Sequence, residues 1–373
     1  MKQTGNDKGI FGGFYNGKSV LLTGHTGFKG SWLALWLHEL GARVTGFALP
    51  PNTVPSHFDL IGLKDLVHHI EGDVRDLQSL IKAFDMARPE IVFHLAAQPI
   101  VRESYDDPKT TFDTNIGGTV NVLEAIRYCN SVKSAIVVTS DKCYENREWV
   151  WGYRENDPMG GHDPYSASKG ATEIVCAAYL RSYFSGNGQC RHPGFATARA
   201  GNVVGGGDWA KDRIIPDCIR ALSKNEPIVI RNPKATRPWQ HVLDPLHGYL
   251  SLARHLWQQP DLYSGAWNFG PSESQQITVA DLVQRFISAW GTGTMKTPPG
   301  AHQAPHEAHL LRLNTDKAAS ELRWQPMFDS TTAIDWTIQW YKYWHERTGA
   351  MQDRSVCQIQ EFHRLASNHD KTP

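Results

Sequence analysis

The octapeptide Thr23-Gly24-His25-Thr26-Gly27-Phe28-Lys29-Gly30 joins an apolar run, Lys18 to Thr23, to a second apolar stretch from about Ser31 to Leu40 that stops at Gly41. The first run is short and continuous, as a buried strand is, and the second has the length of a helix. Between them lie glycines 24, 27 and 30, spaced three apart. Glycine lets the chain turn tightly and leaves backbone N–H groups at the positive end of the following helix open to an anion. A strand, a glycine turn and a helix in that order predict a β-turn-α opening with a phosphate-sized site at the turn.

Outward from this turn, Arg43 to Leu49, Ile91 to Leu95 and Ser134 to Thr139 are further short apolar runs, alternating with helical stretches at Leu77 to Ala87 and Gly118 to Tyr128. That alternation predicts an α/β fold in which crossover helices join the parallel strands of a doubly wound sheet. From about residue 195 the rhythm breaks, and Gly205-Gly206-Gly207, Pro216, Pro227, Pro233 and Pro238 cut the chain into short elements. The expected division is a first domain over 17–195 with a returning segment near 239–268, a smaller α/β lobe over 196–238 and 269–350, and a surface tail over 351–373. Trp336, Trp340 and Trp344, at i, i+4 and i+8, predict the core side of a helix.

With 373 residues, 40% of them hydrophobic, the chain can bury a full core plus a second lobe. Lys+Arg and Asp+Glu both total 38, so the long-range field that draws proteins to nucleic acid or anionic membranes is missing. No run approaches the ~18 apolar residues of a membrane span, and Met1 to Gly17 has no apolar signal core. The expectation is a cytoplasmic protein without nucleic-acid or membrane partners. Six cysteines are scattered without a CxxC pair, which fits reduced thiols. His302, His306 and His309 are interrupted by Pro305 and accompanied only by Glu307, so they predict a solvent loop, and no metal site is expected.

The reacting groups are Tyr165 and Lys169 in Tyr165-Ser166-Ala167-Ser168-Lys169. On a helix, four residues put both on one face about 6 Å apart along the axis. A tyrosine titrates near 10, so base action at neutral pH asks for roughly three units of depression, on the order of 4 kcal/mol. Two strand ends, His94-Leu95-Ala96-Ala97 and Thr139-Ser140-Asp141, are expected to converge with the glycine turn at the crevice where open α/β sheets bind ligands. An acidic residue at the end of the second strand would hold a ribose, but Gly46 to Pro51 contains none, nor an arginine for a 2′-phosphate.

TGHTGFKG, HLAAQP, TNIGGTVNVLEA around Asn115, and YSASK occur here in the order found in the extended short-chain dehydrogenase/reductase family, and the likeness covers about residues 17 to 345. This resemblance implies a Rossmann domain and a sugar-nucleotide lobe, with Ser140, Tyr165 and Lys169 as the hydride-transfer triad. It also implies NAD, loosely held for want of the acidic residue, at Gly24, Thr26, Gly27, Phe28, Lys29, Gly30, Asp73, Val74, Leu95, Ala96, Ala97, Asn115, Tyr165 and Lys169. Arg199, Asn202 and Arg237 would contact the substrate, where a guanidinium forks onto phosphate oxygens and an amide donates without adding charge.

Directly after Ser140 stand Asp141-Lys142-Cys143-Tyr144, an acid and an amine beside the triad serine. The segment resembles the branch of sugar-nucleotide 4,6-dehydratases that takes CDP-D-glucose. There Asp141 would be the acid and Lys142 the base or an enolate stabiliser. A nucleotide-sugar 4-epimerase shares the triad and the turn but has no use for that pair; a non-catalytic nucleotide-sugar-binding protein would not need Tyr165 and Lys169. The resemblance further implies a homodimer and a place in deoxysugar assembly for surface lipopolysaccharide.

Overall fold

The computed structural model describes residues 10–186, 192–211, 213–271, 277–297 and 311–369. His302, His306 and His309 lie outside them, as does the side chain of Arg237. The first half runs β1 (Ser19–Thr23), α1 (Phe28–Glu39), β2 (Arg43–Ala48), α2 (His57–Leu60), β3 (His68–Glu71), α3 (Leu77–Ala87), β4 (Ile91–His94), α4 (Val101–Asp106), α5 (Pro108–Phe112), α6 (Gly118–Tyr128), β5 (Ser134–Val138), α7 (Pro164–Tyr179) and β6 (Gly194–Ala200). After it come β7 (Val203–Val204), α8 (Ile214–Ser223), β8 (Ile228–Val229), β9 (Thr236–Arg237), β10 (Gln240–His241), α9 (Leu243–Gln258), α10 (Pro260–Tyr263), β11 (Gly265–Phe269), β12 (Ile277–Thr278), α11 (Val279–Trp290), β13 (Met295–Lys296), α12 (Asp316–Glu321), α13 (Ser330–Glu346) and α14 (Met351–His369).

One seven-stranded sheet of order β11-β6-β5-β4-β1-β2-β3 forms the centre, with every pairing parallel. Its central strands β1, β4, β5 and β6 are buried on both faces, which is why they read as continuous apolar runs and not as alternation, whereas edge strand β3 has no buried residue. Their side chains still part by period two: Val20 and Leu22 of β1 enter a core with α1, α9 and α13, while Leu21 enters a second core with α3, α6 and α7. The strand order reverses between β1 and β4, so the chain leaves their C-terminal ends in opposite directions and a crevice opens there. Helix α9 and strand β11 bring the chain back to the sheet, and three short strand pairs, β7 with β10, β8 with β13 and β9 with β12, lie outside it.

Residues 351–369 are a helix and not a surface tail. Met351, Ser355, Ile359, Phe362 and Ala366 are buried at helical spacing, and α14 packs on α1 and α13. Polar residues between these positions, and a serine among them, hide the stripe from a hydropathy reading. On α13, Trp336 and Trp340 are buried and Trp344 packs against Trp209, so this face is core.

Candidate active site

Helix α1 begins at Phe28, three residues before the sequence reading placed it, and its N-cap, Gly27, offers no side-chain cap. The first-turn N–H groups therefore lack a capping side chain, as an anion site requires. Gly24 stands at φ 77°, where a Cβ would lie 2.6 Å from the backbone nitrogen of Ala96. Only glycine lets β1 and β4 approach so closely at the turn. A cleft of about 1230 Å³ runs from here along the strand ends to the segments between β6 and β10. Every predicted cofactor residue except Asn115 lines it.

Asn115 lies behind the cleft on a π-helical turn, Asp113–Gly117. Its side chain accepts from the Gln98 N–H at 2.8 Å and donates to Ser168 Oγ at 2.8 Å, tying the loop after β4 to α7. Between the end of β2 and α2 no carboxylate lines the cleft, and Asn52, Thr53 and Ser56 line it instead. Asp73 lines it too, but its carboxylate accepts from Arg75 at 2.6 Å, which holds it below the usual carboxylate range.

The helix that presents Tyr165 and Lys169 starts with Asp163, which accepts from the Ser166 N–H at 2.9 Å and caps the first turn. Tyr165, Lys169 and Glu173 follow at intervals of four on one buried face. Burial lowers the Lys169 ammonium to about 8, and the Glu173 carboxylate opposes that shift. Burial raises the Tyr165 phenol, while the Lys142 ammonium, the Ser140 hydroxyl and Arg213 pull it down. The Lys142 ammonium thus acts on the phenol from the turn after β5, while Lys169 follows one turn on along its own helix.

Strand β5 is followed by Thr139-Ser140 and then by a single 3-10 turn, Asp141–Cys143. The Ser140 hydroxyl donates to Asp141 Oδ1 at 2.9 Å, and Lys142 Nζ reaches the same oxygen at 3.3 Å. Asp141 is buried and Lys142 is about a third exposed. Acid, amine and phenol therefore meet around one serine at the mouth of the sheet.

Arg199 lies elsewhere. Its guanidinium is buried, donating to Glu173 at 2.7 Å and to the backbone oxygen of Glu155 at 3.0 Å, and it is not among the residues that line the cleft. Asn202 does line it, whereas β9 places only the backbone of Arg237 among the described residues. Sequence reasoning missed Arg213, which lines the lobe side and is held by Asp208 at 2.8 Å. The signal available was Asp208 directly after three glycines, with an arginine five residues on. It also missed that Lys29, lowered to about 7 by burial and by Lys169, donates to Tyr249 Oη at 3.1 Å.

Known proteins carry the same layout. A UDP-glucose-4-epimerase from Stenotrophomonas maltophila, solved with bound NAD, superposes with a TM-score of 0.75 at 21% identity, over 89% of this chain and 100% of that one. The dTDP-glucose 4,6-dehydratase of Bacillus anthracis, in complex with NAD, gives 0.71 at 19% identity, over 87% and 96%. These likenesses concern the fold. In sequence, the chain is 49% identical to the CDP-glucose 4,6-dehydratase of Salmonella typhimurium over 350 residues, 94% of this chain and 96% of the relative. The sequence profile described as GDP-mannose 4,6 dehydratase matches residues 21–336, most of the chain, and includes both the glycine turn and the Tyr165/Lys169 face. The chain therefore belongs to that family of nucleotide-sugar enzymes.

Proposed function

We propose that this chain is an NAD-dependent CDP-D-glucose 4,6-dehydratase, converting CDP-D-glucose to CDP-4-dehydro-6-deoxy-D-glucose and water. The observation that carries the reading is the contact of Asp141 and Lys142 beside Ser140, on the side facing Tyr165. An epimerase needs the phenol and the lysine of α7 but not this pair.

The glycine turn fits NAD: its helix start has no side-chain cap, and Gly24 leaves the backbone open to a pyrophosphate. Held there, NAD would supply the acceptor for the hydride from sugar C4 and the donor that returns it to C6. Tyr165 takes the proton of the C4 hydroxyl, with Lys169 and Lys142 stabilising the phenolate. The C4 ketone acidifies the C5 hydrogen, so Lys142, as base or enolate stabiliser, acts at C5 while Asp141 gives a proton to the departing C6 hydroxyl, and C5 regains a proton as the hydride returns to C6. Overall the C4 hydroxyl proton leaves in the water. Ser140, which donates to Asp141 and lies beside the Tyr165 phenol, stands between the group that gains that proton and the group that supplies the one to water. Asn202 and Arg213 line the lobe side and suit the diphosphate.

Two further properties go with this reading. Phe112, Ile174 and Tyr183 are exposed on or just after α5 and α7, two helices that pack on each other, and this apolar exposure supports a homodimer. Among the described residues no helix is long and apolar enough to cross a membrane, and the described cysteines are free, which supports a cytoplasmic enzyme of deoxysugar assembly.

The test uses CDP-glucose deuterated at C4 with catalytic NAD. The expected product has lost one water and carries the deuterium at C6. Unchanged product mass would sink the dehydratase, and label washed into solvent would sink the internal hydride return.

A further inference from the structure

We propose that His57 and Ser355 are positioning residues, through which the C-terminal helix α14 sets the cofactor turn in register with the substrate lobe. Ser31, His57 and Ser355 are all buried, and they join elements far apart in sequence. Trp340 Nε1 of α13 lies 3.0 Å from Ser355 Oγ of α14, and Ser355 Oγ lies 3.1 Å from His57 Nε2. His57 Nδ1 lies 2.7 Å from Ser31 Oγ of α1, which is 2.9 Å from the backbone oxygen of Phe28 in the glycine turn.

Donor chemistry fixes the direction of this chain. An indole N–H only donates and a carbonyl oxygen only accepts. Trp340 must therefore give to Ser355, Ser355 to His57 Nε2, His57 Nδ1–H to Ser31, and Ser31 to Phe28. The His57 tautomer follows, with its proton on Nδ1, and burial lowers the ring to about 3, so it stays neutral. Each group is satisfied only if its neighbours are in place.

The same imidazole touches the wall of the cleft that faces the sheet. It stacks on Trp32 at 4.7 Å between centroids, and a Cβ on Gly207 would come within 2.6 Å of its own Cβ. Trp32 Nε1 donates to the backbone oxygen of Gly206 at 2.8 Å, and Trp340 packs against Gly206 from the other side. The triple-glycine loop, which leads into Asp208 and its partner Arg213, is thus held by the ring that also braces Phe28. Both Phe28 and Gly207 line the cleft. Helix α14 lies beyond residue 336, where the family profile ends, yet it supplies the central hydroxyl.

The proposal rests on the dehydratase reading only for its substrate. NAD affinity, measured by calorimetry on the full-length protein without sugar, tests the brace alone. Ser355→Ala should raise the NAD Kd and the CDP-glucose KM about three- to tenfold, with kcat at saturation within about twofold. Trp340→Phe, which keeps a ring and removes the N–H, should do likewise, and the double variant should add little, since either change breaks the same chain. Ser355→Thr, retaining a hydroxyl, should restore NAD binding. The brace is refuted if Ser355→Ala lowers the melting temperature yet binds both ligands like the parent, or if the two single effects simply add. A parent that binds NAD but leaves CDP-glucose intact refutes the dehydratase reading and leaves the calorimetric comparison valid.

Discussion

Helix α7 and the turn Asp141–Cys143 face each other across Tyr165, but they hold their charges in opposite ways. On α7 the ammonium of Lys169 is buried and set against Glu173, which is itself buried and paired with Arg199 at 2.7 Å. On the turn, Lys142 is about a third exposed and its partner is the adjacent Asp141. A helix four turns long fixes its groups by packing; one 3-10 turn fixes them by local contact and by the strand it follows. The groups proposed for oxidation thus sit on a long helix, and those proposed for elimination on a short, partly exposed extension. The two halves of the reaction should then separate by mutation.

The largest expected effect is on the turn. Lys142→Met removes the amine and keeps the length of the side chain, so water loss should fall by about 10²-fold or more. NAD affinity should stay within about threefold of the parent. In a single turnover, C4 oxidation, read from the absorbance of reduced nicotinamide, should persist. Full-rate dehydration would remove Lys142 from the mechanism, and loss of both steps together would mean that turn and helix act as one unit.

Next comes the helix. Glu173→Gln leaves the Arg199 charge buried with a weaker partner, a loss of about 3 kcal/mol measurable by denaturant unfolding. It also removes the carboxylate that raises Lys169. In the parent, Lys169 gives up its proton near 8 when folded and near the ordinary 10.5 when unfolded. Between those values the unfolded chain binds the extra proton, so this group makes stability rise with pH while activity that needs the ammonium falls. The alkaline limb of kcat should stand near pH 8 and move to lower pH in Glu173→Gln. An unmoved limb would assign it to another group.

The same contrast explains what could be read from the sequence. Tyr165 and Lys169 were legible because a four-residue interval means one helix face whatever surrounds it, and the glycine turn because its steric demand is local. Parallel strands buried on both faces betray themselves as apolar runs. Arg199 was expected at the substrate because the family resemblance implied it; its partner Glu173 lies on another element, and that pairing is tertiary. Helix α14 escaped because Ser355 and Gln358, both buried, are polar and find their partners on α13 and α2. Arg213 escaped because only the folded lobe turns it toward the sheet.

The smallest expected effect bears on how rigidly α7 holds its face. Asp163 caps the helix through the Ser166 N–H and also accepts from Ser166 Oγ at 2.6 Å. Asp163→Ala removes both acceptors and should cost about 1 kcal/mol, a melting shift of roughly a degree or two for a chain of this size. Asn115 ties Ser168 to the loop after β4, and the Tyr165 N–H donates to Ser104 Oγ at 3.1 Å, so the first turn has supports besides its cap. The phenol should therefore stay in place, with kcat and its pH profile unchanged within about twofold. A tenfold loss of kcat would show that the face depends on its cap, which would make helix and turn alike in being held by local contacts.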